Sequence, residues 1–249
     1  MPIITYYLIL DMAIQDQRRK RELLKLLEKL GVKNFAAVNW SLLDLALTHP
    51  SISLTHNYEH LEFVGDAVIR LVSAEVLLEN YSDLPVGDFA AIRSIIVSDR
   101  FLGEIAEEYG FDLYLLMIPS VRNDKLGKIS RLADAFEAVL GALYESTKNM
   151  TLIRPWLDPI LIEKAAQVNA DPARENYKDA LQEWSQGKYK LLPIYKVKYN
   201  DILDNDNERF IAEVWLQDKL LGEGKGATKK ASQQAAAQQA YNSIMSINK

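Results

Sequence analysis

The stretch YEHLEFVGDAV, residues 58–68, decides how the rest of the sequence is interpreted. At helical spacing its three acids, Glu59, Glu62 and Asp66, fall within one arc of about 60°. Leucine, valine and phenylalanine surround that arc, and the acids do not alternate with lysine or arginine as on an ordinary solvated face. The pattern therefore predicts a helix that carries carboxylates on an otherwise apolar surface.

A second helical motif, LADAFEAV at residues 132–139, repeats this pattern. Asp134 and Glu137 share a face that is otherwise built from alanine, leucine, phenylalanine and valine. Carboxylates in such surroundings are destabilising unless positive charge lies among them. Spacing alone leaves two interpretations open, a divalent metal ion or a structural role as helix caps and ion pairs. The basic residues considered as partners are Arg70, Arg93 and Arg131.

The composition favours oxygen ligands over sulfur or nitrogen ligands. The chain has 249 residues, no cysteine and three histidines, all between His49 and His60. This excludes cysteine-ligated zinc, a disulfide framework and thiol catalysis, and it leaves little for a histidine cage. Mg²⁺, with Mn²⁺ as a possible substitute, is the natural candidate because such ions prefer carboxylate oxygens and stabilise charge on phosphoryl groups.

The charge and hydropathy of the sequence limit the classes of partner that we expect. The net charge of −5 argues against a surface coated in positive charge. The best apolar run, residues 3–10, is far shorter than the roughly 20 residues of a membrane-spanning helix. It also lacks the basic segment and cleavage site of a signal peptide. We therefore expect a cytoplasmic protein with no membrane partner.

Residues 17–168 predict an all-α domain, because apolar residues recur at amphipathic spacing without convincing period-two alternation. The predicted helices cover residues 19–30, 41–47, 58–80, 88–97, 98–110, 129–147 and 151–167. Small and polar residues at 169–174 predict a linker. Residues 175–249 then predict a small α+β domain of order α-β-β-β-α, with helices at 176–186 and 227–244 and strands at 194–199, 209–216 and 219–223.

A glycine-rich segment, GEGKGATKKA at residues 222–231, opens the last helix. It places Lys225, Lys229 and Lys230 around a helix N-terminus, where backbone N–H groups and the helix dipole favour phosphate. The alternative is a plain basic surface patch. The P-loop pattern is missing, so no nucleotide cofactor is predicted.

Both acidic motifs resemble those of ribonuclease III, and LTHPS at residues 47–51 and the stretch 93–102 also match in place and type. The resemblance implies that Glu62, Asp66, Asp134 and Glu137 hold divalent metal. Asp66 and Glu137 would be catalytic, with Glu59 as an accessory acid in the same cleft. The sequence departs mildly from the family pattern at two positions. His60 stands where arginine is more common, and Tyr58 stands where asparagine is common in bacterial relatives.

The same resemblance has consequences for assembly. Gly65 would allow two helices to pack closely beside the site. Phe63 would contact a partner across a two-fold homodimer interface, so that two sites cut the two strands of one duplex. The expected products carry 5′-phosphate and 3′-hydroxyl ends with short 3′ overhangs.

Residues 175–249 resemble the double-stranded RNA-binding domain, which reads A-form shape through 2′-hydroxyls and phosphates. The resemblance implies that Gln182, Glu183 and Gln186 face a minor groove and that Lys225, Lys229 and Lys230 contact phosphates. The segment 200–208 departs from the family, because it holds several acids and no histidine. We therefore expect a weakened minor-groove contact there.

We accordingly predict a homodimeric, Mg²⁺-dependent endoribonuclease that acts on double-stranded RNA from ribosomal precursors, messengers or small RNAs. Two alternatives stay open: a non-catalytic double-stranded RNA-binding protein or chaperone, and a metal-dependent nuclease of DNA or single strands. Cleavage of duplex RNA in Mg²⁺ would exclude the non-catalytic binding protein. Competition between duplex RNA and duplex DNA would test the nuclease of DNA or single strands.

Overall fold

The computed structural model describes residues 16–171, 173, 176–199 and 208–247. The apolar run at residues 3–10, most of the acidic segment 200–208 and parts of the predicted linker lie outside these ranges. The chain divides between Val168 and Asn169 into two compact units, which are described separately.

The first unit is helical in all its described elements. Its helices are α1 (Gln17–Leu30), α2 (Trp40–Ala46), α3 (Glu59–Asn80), α4 (Val86–Ile96), α5 (Asp99–Glu108), α6 (Pro119–Arg122), α7 (Lys128–Thr147) and α8 (Arg154–Ala170), with short 3-10 helices at Phe35–Ala37 and Phe111–Leu113. α8 crosses the unit boundary by two residues.

Local sequence signals fix several helix ends. The Asp16 carboxylate accepts the backbone N–H groups of Arg18 and Arg19 at 2.8 and 3.2 Å, which caps α1. Gly31 ends that helix in the left-handed region, at φ +84°. Ser98 caps α5 by accepting the N–H of Phe101 at 3.3 Å. These ends follow from side chains that satisfy orphan backbone groups.

Helix α7 lies at the centre of the first core, with most of its side chains from Leu132 to Leu143 buried. α3 approaches it backbone to backbone at two glycines. A Cβ on Gly65 would lie 1.7 Å from the carbonyl oxygen of Glu137, and a Cβ on Gly141 would lie 2.1 Å from that of Leu61. The expectation that Gly65 permits close helix packing is therefore confirmed. This contact sets α3 and α7 side by side.

The second unit has the order α-β-β-β-α. Its elements are α9 (Tyr177–Tyr189), β1 (Ile194–Tyr199), β2 (Phe210–Leu216), β3 (Lys219–Gly226) and α10 (Lys229–Ile247). The strands form an antiparallel sheet in the order β1-β2-β3. The glycines at 222, 224 and 226 let β3 touch the backbone of α10, since a Cβ there would lie 2.1–2.6 Å from backbone atoms of that helix.

The predicted fold class is confirmed, and the differences lie in short elements and in boundaries. The sequence analysis did not predict α6 or the two 3-10 helices. Strand β3 continues to Gly226 instead of ending at residue 223, and α9 continues to Tyr189 instead of ending at residue 186. None of the helices in the described ranges combines the length and the apolar character that crossing a bilayer requires.

Candidate active site and RNA-binding surface

The acids of the first motif lie in the first two turns of α3. Glu59 is exposed, whereas Glu62 and Asp66 are half-buried. Tyr58 precedes the helix as its N-cap, and its carbonyl oxygen accepts the N–H of Glu62 at 2.9 Å. The first motif thus carries two half-buried acids and one exposed acid.

The acids of the second motif lie on α7, and both are half-buried. Glu137 is the residue whose backbone meets Gly65, so this acid stands next to the turn of α3 that carries Asp66. Asp134 lies one turn earlier on the same helix. The two motifs therefore meet along the α3–α7 contact.

Burial, followed by mutual repulsion, raises the pKa values of three of these carboxylates, which form one acidic cluster. Burial, followed by the charges of Asp66 and Glu62, raises the pKa of Glu137 to about 8. Burial, followed by the charges of Asp134 and Glu59, raises the pKa of Glu62 to about 7. Burial also raises the pKa of Asp134. A cation among the acids would relieve this repulsion.

Arginine neutralises only part of the cluster. Arg70 holds Asp66 through its Nε, at 2.8 and 2.9 Å from the two carboxylate oxygens. Asp66 therefore forms one of the ion pairs that the sequence analysis considered. Arg131, in contrast, donates to Asp124 at 2.9 Å. Its charge acts on Asp134 only as a minor influence that lowers the pKa of that acid.

The carboxylates of the cluster are suitable ligands for a hard divalent cation, although their side chains are not arranged around a single point. Within the described residues, no group of three or more histidine, aspartate and glutamate side chains is arranged to hold a metal ion. The side chains themselves supply carboxylate oxygens, the ligands that Mg²⁺ and Mn²⁺ prefer. Burial, followed by the charge of neighbouring acids, raises the pKa values of Glu62, Asp134 and Glu137. Glu62, Asp134 and Glu137 are the acids with most to gain from a cation.

The sequence analysis missed two residues of this region. Asp99, the first residue of α5, adds negative charge that raises the pKa of Glu62, Asp134 and Glu137. The Tyr58 hydroxyl donates to Asp134 Oδ2 at 3.4 Å. Asp99 lies in the stretch 93–102 that resembles the family, but the sequence analysis assigned no role to any residue of that stretch. For Tyr58 the available signal was its departure from the asparagine common in the family.

Phe63 stands on the outer face of α3 with 82% of its surface exposed. Other large apolar side chains along α3 and at the start of α4 are also exposed, namely Leu71, Leu78 and Val86. A groove between these helices is lined in part by Leu77, Leu78, Val86 and Phe89. The first unit therefore carries an exposed apolar surface beside the acidic cluster.

The predicted minor-groove residues share one exposed face of α9. Gln182, Glu183 and Gln186 are exposed, while Leu181 and Ser185 on the other side of the helix are buried. The structure thus brings these three side chains together on the solvent side of the helix.

The predicted phosphate contacts separate into two groups. Lys229 and Lys230 are exposed in the first turn of α10, which Thr228 caps by accepting the N–H of Ala231 at 3.1 Å. Lys225 lies on β3, where its Nζ donates to Glu208 Oε2 at 3.0 Å. The glycines on either side of Lys225 face α10, so its side chain points to the opposite face of the sheet. Lys225 is therefore not grouped with the other two lysines.

Comparisons with known proteins identify both parts of the chain. Residues 59–148 match the family described as Ribonuclease III domain, and residues 177–244 match the one described as Double-stranded RNA binding motif. The chain is 57% identical to "Ribonuclease 3 2" of Nostoc sp., over 94% of this chain and 96% of that protein. It is 50% identical to "Ribonuclease 3 2" of Synechocystis sp. (91% and 93% covered) and 43% identical to "Ribonuclease 3" of Gloeobacter violaceus (92% and 93% covered).

Solved structures are similar to parts of the fold. Dicer from Pichia stipitis is 24% identical with a TM-score of 0.44, covering 85% of this chain and 94% of that chain. The nuclease domain of ribonuclease III from Campylobacter jejuni is 28% identical with a TM-score of 0.46, covering 57% and 92%. On the family matches and the curated relatives, the chain belongs to the ribonuclease III family of double-stranded RNA endoribonucleases.

Proposed function

We propose that the carboxylates of α3 and α7 hold Mg²⁺, with Mn²⁺ as a substitute, and that the chain hydrolyses both strands of an RNA duplex. The products would carry 5′-phosphate and 3′-hydroxyl ends with short 3′ overhangs. One observation supports this proposal: α3 and α7 touch at Gly65, and burial, followed by the charges of carboxylates from the other helix, raises the pKa values of Glu62 and Glu137.

The proposed metal ligands are Glu62, Asp66, Asp134 and Glu137. When bound, the metal would activate a water molecule and offset the charge that develops on the scissile phosphate. Asp66 and Glu137 are the proposed catalytic residues, because their helices touch at that level. Exposed Glu59 lies at the rim, where it would act as an accessory acid. Arg70 would have to release Asp66, or share it, when a cation binds.

Binding of the duplex is proposed to use the exposed faces of α9 and α10. Gln182, Glu183 and Gln186 would reach 2′-hydroxyls in a minor groove, and Lys229 and Lys230 would contact phosphates next to a helix N-terminus. Lys225 would contribute less than these two, because Glu208 already neutralises it.

A homodimer is proposed from the exposure of Phe63 and the apolar side chains around it. In this arrangement each subunit cuts one strand. Phe63→Asp should convert a dimer into a folded monomer in sedimentation velocity, because the side chain is exposed in the single subunit. Leu113→Asp, which charges a comparably exposed side chain (72%), is the control and should leave the dimer intact. A dimer that persists in Phe63→Asp would contradict this interface.

The decisive assay mixes the purified protein with a long perfect RNA duplex in Mg²⁺ and in EDTA, and maps the ends of the products. We expect cleavage in Mg²⁺ alone, with the ends given above. Duplex RNA that is bound but uncut in Mg²⁺ would favour a non-catalytic binding protein. Inhibition by duplex DNA as strong as by duplex RNA would contradict the proposed substrate, since the 2′-hydroxyl distinguishes the two. The setting we propose is the cytoplasm, with structured RNA precursors as substrates.

A further inference from the structure

Tyr58 is fixed at both ends of its backbone, at the point where α3 begins. Its N–H donates to the carbonyl oxygen of Thr48 at 3.0 Å. Its own carbonyl oxygen accepts from the N–H groups of Leu61 and Glu62 at 2.8 and 2.9 Å. The side chain is buried, with 3% of the residue exposed. The residue therefore occupies one defined position relative to the first motif.

The direction of the Tyr58 ring is also fixed. The imidazole ring of His49 meets it edge to face, with the centroids 5.7 Å apart and the planes at 87°. His49 is itself held, because its Nδ1 accepts the N–H of Ser51 at 2.9 Å and its backbone N–H donates to the carbonyl oxygen of Leu116 at 2.9 Å. A ring held in this way directs its hydroxyl toward α7.

That hydroxyl reaches the second motif, where it lies 3.4 Å from Asp134 Oδ2. The distance is long for a hydrogen bond, as is common where a site tightens on binding its ligand. A tyrosine phenol is a hydrogen-bond donor and a carboxylate is an acceptor only, so the bond runs from Tyr58 to Asp134. Among the described residues, Tyr58 is the one whose side chain hydrogen-bonds Asp134. The contact joins residues 76 positions apart.

We infer that Tyr58 is a positioning residue for Asp134: its hydroxyl holds Oδ2 of that carboxylate and leaves Oδ1 to a divalent cation. This inference rests on the proposed function, because it assumes that Asp134 is a metal ligand. Its consequence is that the first motif orients an acid of the second through one hydroxyl group. Partners of this kind typically change metal affinity by about 10- to 100-fold.

The test is Tyr58→Phe, which removes the hydroxyl and keeps the ring against His49. Mn²⁺ affinity is measured on the RNA-free protein from the electron paramagnetic resonance signal of free Mn²⁺. We expect affinity to fall about 10-fold. Cleavage should fall through kcat, with KM for duplex RNA unchanged, and raised Mn²⁺ should restore it. Tyr109→Phe, which removes another partly buried tyrosine hydroxyl of the same unit, should match the wild type.

A double variant separates positioning from a general structural role. If Tyr58 acts through Asp134, then adding Tyr58→Phe to Asp134→Asn should not weaken Mn²⁺ binding further. An additional loss in the double variant would overturn the inference, and so would wild-type affinity in Tyr58→Phe. A lowered melting temperature that accounts for the lost affinity, without rescue by Mn²⁺, would also overturn it. A wild-type protein that binds no Mn²⁺ would instead remove the proposed function, and the inference with it.

Discussion

Burial, followed by the charges of neighbouring acids, raises the pKa of Glu137 to about 8 and that of Glu62 to about 7. Glu137 is half-buried, its backbone touches Gly65, and the charges of four other acids add to the effect of its burial on the pKa. A carboxylate in this environment holds its proton unless a cation compensates the charge. Its chemistry therefore depends on the metal more strongly than that of exposed Glu59.

Glu137→Gln should abolish cleavage, with a loss of at least about 100-fold, because it removes a proposed metal ligand. Binding of duplex RNA, measured by gel shift in Ca²⁺, should stay near the wild-type level, since Glu137 lies outside α9 and α10. Glu107→Gln, which changes an exposed acid paired with Lys128, serves as a control and should cleave normally. A parallel loss of binding and folding in Glu137→Gln would indicate a structural residue instead.

The metal-free protein should lose stability as the pH rises from about 5 to about 8. Glu62 and Glu137 have pKa values of about 7 and 8 in the folded chain and an ordinary value of 4.5 when unfolded. The folded state therefore binds more protons in this range, so the free energy of unfolding falls as pH rises. Glu137→Gln should raise it by about 1–2 kcal/mol at pH 8 in EDTA. Urea unfolding of the two proteins at several pH values tests both predictions. A free energy of unfolding that does not change with pH would contradict the raised pKa values of these acids.

At the scale of elements, the contact between α3 and α7 decides whether the two motifs form one site. The amphipathic spacing predicted both helices to within a residue at each end. Their side-by-side packing could be expected only through the family resemblance, because contacts between distant segments leave no local pattern. The same reason explains why Asp99 and the bond from Tyr58 to Asp134 were missed.

Short elements were harder to predict than long ones. α6 spans four residues and starts at Pro119, so it offers too few turns for a periodic signal. The backbone pairing of Thr48 with Leu116 depends on a contact between two loops. The end of β3 was missed because its alternating glycines look like a turn in sequence, whereas they serve the close approach of α10.

Gly65→Ala should separate the two motifs. Its Cβ would lie 1.7 Å from a backbone oxygen of α7, so the helices must move apart, and we expect a loss of about 3 kcal/mol or more. Gly87→Ala is the matched control, because nothing lies within 4 Å of its Cβ in α4. That variant should stay within about 1 kcal/mol of the wild type. Urea unfolding with Mn²⁺ titration measures both; equal stability of the two variants would contradict the close contact.

At the scale of the whole molecule, catalysis and RNA binding are assigned to different compact units. The acidic cluster lies in the first unit, and the exposed lysines of α10 lie in the second. The compositions agree with this division, since residues 171–249 contain 12 Lys and Arg against 11 Asp and Glu in a chain of net charge −5. The sequence predicted this organisation because the hydrophobic period changes after the first unit.

The α10 lysines should carry much of the salt dependence of RNA binding. Replacing Lys229 and Lys230 by alanine should weaken binding to a duplex and reduce the slope of log K against log salt by about 2. Lys225→Ala should change the slope less, because Glu208 already pairs with that ammonium group. Fluorescence anisotropy between 50 and 200 mM salt gives the slopes. An unchanged slope in the double variant would remove this helix end from the phosphate backbone.

The most direct test of the central claim is a crystal of the protein grown in Mn²⁺ and measured at the manganese absorption edge. The account predicts an anomalous peak between α3 and α7, within bonding distance of carboxylate oxygens from both helices, including Glu62 or Asp66 and Asp134 or Glu137. No peak at that place, with Asp66 still held by Arg70 and the remaining acids turned to solvent, would contradict it.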